Sequence, residues 1–66
     1  MEAHEVRRGT KVTVMDDNVR VPVGSTPINK GDEITILALD AMYCNGKDKD
    51  GNKVYIAAWT NVEPCL

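Results

Sequence analysis

Asn18-Val19-Arg20-Val21-Pro22-Val23-Gly24-Ser25-Thr26-Pro27-Ile28-Asn29-Lys30-Gly31-Asp32-Glu33-Ile34-Thr35-Ile36-Leu37 is the stretch that decides the fold. An open segment bearing Pro and Gly runs into a Lys-Gly-Asp turn, and a β-branched strand leaves that turn. In Asn29-Lys30-Gly31-Asp32, Gly31 can take positive φ at no steric cost. Ile34, Thr35 and Ile36 suit a pleated, half-buried surface. In a chain of 66 residues, this order points to a small β-barrel rather than a helical bundle.

Working outward, Thr10 to Val14 alternates, with Val12 and Val14 on one face and Thr13 opposite, after an entry turn at Gly9. Asp16-Asp17-Asn18 breaks that pattern, because short polar side chains favour turns. Val19, Val21 and Val23 alternate around Pro22, which limits them to an edge strand or an extended loop arm. Gly24 to Pro27 is the loop tip. Glu33 to Leu39 is the strongest strand, with Ile34, Ile36 and Leu39 inward and Thr35 outward. After a break at Asp40-Ala41, Met42 to Asn45 resumes with Met42 and Cys44 on one face and Tyr43 on the other. Lys47 to Lys53 is a polar hairpin whose Asp50-Gly51 tip suits a type I′ turn. Val54 to Ala58 returns. Thr60-Asn61-Val62 is expected to form one 3₁₀ turn before a closing strand through Glu63 to Leu66. No segment carries helical periodicity. The expected fold is all-β and five-stranded, with a flexible N-terminal arm over residues 1–8 and the barrel over residues 9–66. Val12, Val14, Ile34, Ile36, Val54 and Ile56 should converge on one interior.

Composition narrows the function. The net charge is -2, and both signs are interspersed among charged residues that make up 27% of the chain. A nucleic-acid binder usually shows a basic stripe, so nucleic acid is not an expected partner. A single domain this small has a core worth roughly 3–5 kcal/mol, too thin for a deep pocket with several buried charges. There is neither a basic-then-apolar leader nor a stretch long enough to span a bilayer. Two cysteines, Cys44 and Cys65, are too few for a disulfide scaffold. A reducing, cytoplasmic setting is therefore expected, without membrane attachment. Cys44 reads as a core residue and Cys65 as an accessible one; whether they pair is left open.

Several elements, in order, resemble a known family. Asn18-Val19-Arg20, Gly24-Ser25-Thr26-Pro27-Ile28 and Lys30-Gly31-Asp32-Glu33-Ile34 resemble the first long loop, its tip, and the turn and second strand of bacterial SH3 domains. Gly51-Asn52-Lys53-Val54-Tyr55-Ile56 is similar to the last hairpin of that family, with Tyr55 replacing a tryptophan and Val54 a glycine. Ala58-Trp59-Thr60-Asn61-Val62 looks like the turn before the closing strand. The resemblance covers residues 10–64 and implies an SH3-like barrel that works by binding. It does not extend to polyproline recognition, because Val14-Met15-Asp16-Asp17 lacks the tyrosine pair that flanks such ligands. Cell-wall peptides, the ligands of many bacterial members, go with export, and no leader is visible.

Chemistry-bearing residues are few. His4 is the only histidine, in the expected arm, so neither a catalytic triad nor a zinc site can be built around it. Asp48-Lys49-Asp50-Gly51-Asn52 echoes a calcium loop, but position 12 would fall on Trp59 instead of a glutamate. No metal or cofactor is expected. Asp16, Asp17, Asp32 and Glu33 could meet where the long loop folds back, serving as solvated turn residues or as selectors of a basic partner. Arg7, Arg8 and Lys11 form a short basic flank. Tyr55, Ala57 and Trp59 share a face opposite Val54, Ile56 and Ala58, so Tyr55 and Trp59 should stand together outside the barrel. Trp59 either docks a partner or packs beneath the long loop.

The function expected from these residues is a non-catalytic protein-binding module. Tyr43, Tyr55 and Trp59 would supply apolar contact, and Asp16, Asp17 and Asp32 would select the partner. A bacterial or bacteriophage accessory protein that modulates a host or partner protein fits that description. The alternative is a structural, self-associating or particle-decorating subunit pairing through a sheet edge. An RNA-binding barrel ranks below both, and an enzyme last.

Overall fold

A computed structural model of the chain describes residues 1–65. Its strands are β1 (Lys11–Val14), β2 (Glu33–Asp40), β3 (Tyr43–Asp48), β4 (Lys53–Ala57) and β5 (Val62–Pro64). They form one antiparallel sheet in the order β4-β3-β2-β1-β5. The all-β, five-stranded expectation holds. β4 and β5 are the sheet edges, and among the described residues no ladder joins them into a closed barrel. The expected continuation of the last strand to Leu66 lies outside the described residues.

Alternation sets which side chains meet. Val12 lies opposite Ile34, Val14 opposite Val62, Ile36 opposite Gly46, and Cys44 opposite Ile56. Because direct cross-strand partners share a face, these residues gather on one side. Val12, Val14, Val54, Ile56 and Val62 are fully buried, and Ile34, Ile36 and Cys44 nearly so. The six residues expected to converge do converge. Burying one such side chain is worth about 1.5–3 kcal/mol, against a net stability of roughly 3–5 kcal/mol for a core this small, so none is dispensable.

Two expectations need correction around the β2–β3 hairpin. The ladder shifts between Ile36 and Ala38, a bulge that inserts Leu37. Leu39 therefore lies opposite Cys44, on the inner side, but past the end of the core, and it is 56% exposed. Met42 belongs to the turn, not the strand, and is exposed. Ala41 takes φ 54°, the only positive value at a residue other than glycine among the described residues. Positive φ at the first central residue alone is the type II′ pattern, where glycine is the usual occupant.

The second hairpin also differs from expectation. Its tip is not a type I′ turn: only Gly51 has positive φ there, at 83°, and Gly51 N–H donates to the Asp48 carbonyl at 3.1 Å. This is a three-residue loop with glycine in the left-handed position. Before β5, a single turn closes through Thr60 N–H to the Ala57 carbonyl at 3.0 Å, earlier than the 3₁₀ turn expected at residues 60–62.

The N-terminal segment is docked and ordered against the sheet, where a flexible arm over residues 1–8 was expected. Ala3–Glu5 forms one 3₁₀ turn, and Ala3 is fully buried. Ala3 and His4 N–H donate to the carbonyls of Thr60 and Ala58 at 2.8 and 2.9 Å, and Val62 N–H donates to Met1 at 2.8 Å. The outer edge of β5 and the turn before it carry backbone groups that need partners, and this segment supplies them.

Gly46 tolerates no side chain. A Cβ there would run into the Thr35 carbonyl across the ladder. Gly46→Ala should cost about 3 kcal/mol, the top of the overpacking range because the obstacle is backbone, read as a lower urea midpoint. Ala41→Gly should raise that midpoint by about 0.5–1 kcal/mol by relieving the left-handed alanine.

Candidate functional site

The long loop of residues 15–32 is the largest feature that the sheet positions, and its two ends are tied down. At its base, Val14 N–H donates to the Asp32 carbonyl at 2.9 Å, and Gly31 N–H donates to the Val14 carbonyl at 2.8 Å. On one flank, Met15 N–H donates to the Asn61 carbonyl at 2.9 Å, and Asn61 N–H donates to Asp16 Oδ2 at 2.8 Å. Midway, Ala57 N–H on the edge of β4 donates to the Arg20 carbonyl at 3.0 Å. Val19 and Val21 pack against the core and Ile28 is buried in it. Residues 19–22 form an irregular loop arm ending at Pro22, which lacks an N–H, and a turn closed by Ser25 N–H to the Pro22 carbonyl at 3.0 Å leaves Val23 fully exposed.

Anchoring the loop creates a groove beside it, lined by Asp17, Val19, Val21, Pro27, Ile28 and Trp59 among others. Trp59, in the turn after β4, is 47% exposed. Its indole lines the groove together with the loop residues.

The acidic residues do not gather in one cluster. Asp16 is spent on the Asn61 amide. Asp32 Oδ2 accepts from Asn29 N–H at 2.8 Å and holds its own turn. Asp17 alone stands at the groove, exposed, with Lys30 Nζ 3.8 Å from Oδ1. Asp32 and Glu33 instead line a separate cleft of about 390 Å³ with Asp48 and Asp50, floored by Ile28 and Ile34. Nor are the aromatic residues united. Tyr43 and Tyr55 are half-buried on the outer face of β3 and β4, opposite Ala57 and Asn45. Trp59 lies beyond the end of β4, at the groove. The sequence missed the groove's walls, although the alternation of Val19 and Val21 around Pro22 was the available signal.

Burial pushes the Cys44 thiol above its ordinary value, so it stays protonated and behaves as core. Cys65 is half-buried, its Sγ 3.2 Å from Thr13 Oγ1, and both thiols are free. Among the described residues no group of three His, Cys, Asp or Glu side chains is arranged to hold a metal ion, and no helix is long and apolar enough to cross a membrane. Compared with family models, with curated proteins and with solved structures, the chain matches none.

Asp48 carries the clearest electrostatic signature in the cleft. Its Oδ1 accepts N–H from Asn52 and from Asp50, each at 2.9 Å. The Asn52 amide foremost holds its carboxyl below the usual carboxylate range. A depressed folded-state value means stabilisation that is complete above the ordinary range and lost as pH falls through the folded value. Asp48→Ala should therefore lower the denaturation midpoint near neutral pH, and the gap to the parent protein should narrow steadily in acid.

Proposed function

We propose that this chain is an SH3-like, non-catalytic module that binds another protein through the groove between the long loop and Trp59. The observation that carries this reading is Trp59 itself: a large aromatic residue left 47% exposed beside a groove lined by Val19, Val21, Pro27 and Ile28, with Asp17 and Arg20 as its charged residues. Half-exposed indoles offer wide contact area at small entropy cost. Asp17 and Arg20 give the groove one charge of each sign, and Asp17 is the group that would meet a basic residue of the partner segment. The strand order β4-β3-β2-β1-β5, with a long tethered loop between β1 and β2, supports the SH3-like assignment. A cytoplasmic accessory protein of bacterial or bacteriophage origin, modulating a host or partner protein, is the setting that suits it.

Self-association through the β4 edge is the other reading. Ala57 N–H points outward to Arg20, so by alternation the amides of Lys53 and Tyr55 also face that edge. Two features count against it. The loop already covers Ala57, and Lys53 places a charge on the stretch that remains, a device that blunts edges. A monomer is expected in sedimentation at micromolar concentration.

Trp59→Ala should abolish capture of the partner from the native cell while costing no more than about 1 kcal/mol of stability, since much of the ring is already in water. Asp17→Lys should weaken capture without unfolding the protein. Retention of the partner by folded Trp59→Ala would refute the groove.

A further inference from the structure

The lateral registers place three lysines in one row across the outer face of the sheet. Lys11 pairs with Thr35, Thr35 with Lys47, and Lys47 with Lys53. At about 4.8 Å per strand, the row extends roughly 14 Å. All three lysines are exposed. Lys11 Nζ meets Glu33 Oε1 at 3.3 Å, but among the described residues Lys47 and Lys53 have no carboxylate within ion-pair distance. Like charges directly opposite each other destabilise a ladder, so this pair costs the fold something that no carboxylate offsets.

Next to that pair on the same face are Asn45 opposite Tyr55, then Tyr43 opposite Ala57. Asn45 is thus flanked by one tyrosine along its strand and by another across the ladder. Lys53 Nζ lies 5.5 Å from the centre of the Tyr55 ring, which joins the charged row to the aromatic one. Asp40, opposite Tyr43 at the far end, is the acidic limit of the surface. The acidic residues of the hairpin turn to the other side: Asp48 lies opposite Ile34, on the inner face, and lines the cleft with Asp32 and Asp50. Glu33 and Glu63, both opposite Thr13, place two more carboxylates at the β1 end of this face, so in a chain of net charge -2 it is the β3–β4 part of the outer face that is basic and aromatic.

We propose that the outer face of the β3–β4 hairpin, through Lys47, Lys53, Tyr43, Tyr55 and Asn45, binds single-stranded nucleic acid. The lysines take phosphates, the tyrosine rings stack on bases, and Asn45 reaches a base edge. Lysines alone would suit any polyanion. Two aromatic rings beside them on a sheet face select a ligand with stackable bases over a lipid headgroup or an acidic peptide. None of the groove residues beside Trp59 belongs to this face, so the two surfaces are independent.

The test is fluorescence anisotropy of a labelled oligothymidylate of about twelve nucleotides, in the intact protein. Neutralising two or three phosphates should weaken binding about tenfold between roughly 50 and 200 mM salt. Tyr55→Ala should lose about tenfold in affinity and Tyr55→Phe almost nothing, because the ring is retained. The double variant Lys47→Gln/Lys53→Gln should lose binding yet melt no lower than the parent, since it removes a repulsive pair. Trp59→Ala should bind the oligonucleotide as the parent does. No binding at low salt, equal binding to vesicles rich in phosphatidylserine, or indifference to both Tyr55→Ala and the double lysine variant would each overturn the proposal.

Discussion

The core of this protein contains no aromatic side chain, and that constraint shapes everything around it. Valine, isoleucine, one cysteine and one small alanine fill the interior. β-branched side chains are stiff and pack well on pleated strands, so the strands can close tightly over a thin core. The close approach of Gly46 to the Thr35 carbonyl belongs to the same economy of space. With no Phe in the chain and no room inside for large rings, both tyrosines and the tryptophan are left at the surface. They are consequently free to mark the places where something else can touch the protein.

What the sequence made legible is what period-2 alternation encodes. Val12, Val14, Ile34, Ile36, Val54 and Ile56 could be assigned to the interior because each strand announces its own inner face. The Lys-Gly-Asp turn was readable for the same local reason: the left-handed position needs glycine. Features fixed by pairing were not readable. The bulge after Ile36, and with it the exposure of Leu39, depends on how β2 meets β3. The docking of residues 1–6 depends on backbone groups around Thr60 that are far away in the chain and leave no side-chain pattern. The separation of Asp16, Asp17 and Asp32 follows from which amide each carboxylate meets, again a tertiary fact.

The same distinction explains why net charge misled. Lys11, Lys47 and Lys53 are scattered along the chain, and only the ladder registers bring them into a row. The carboxylates nearby in sequence, Asp48 and Asp50, turn to the opposite side. Strand registers can thus gather like charges into a local patch on one part of a face, which the sum of charges does not report. The groove beside Trp59 and the lysine row are two local features held by one scaffold.

β1 lies between β2 and β5, and residues 15–61 separate β5 from it in sequence. Before Val62–Pro64 dock, β1 has one bare edge and Val14 lacks its opposite neighbour. A folding chain that has not yet placed β5 leaves a valine-bearing strand open to pairing with other chains. Long-range closure of this kind is slow relative to local hairpin formation.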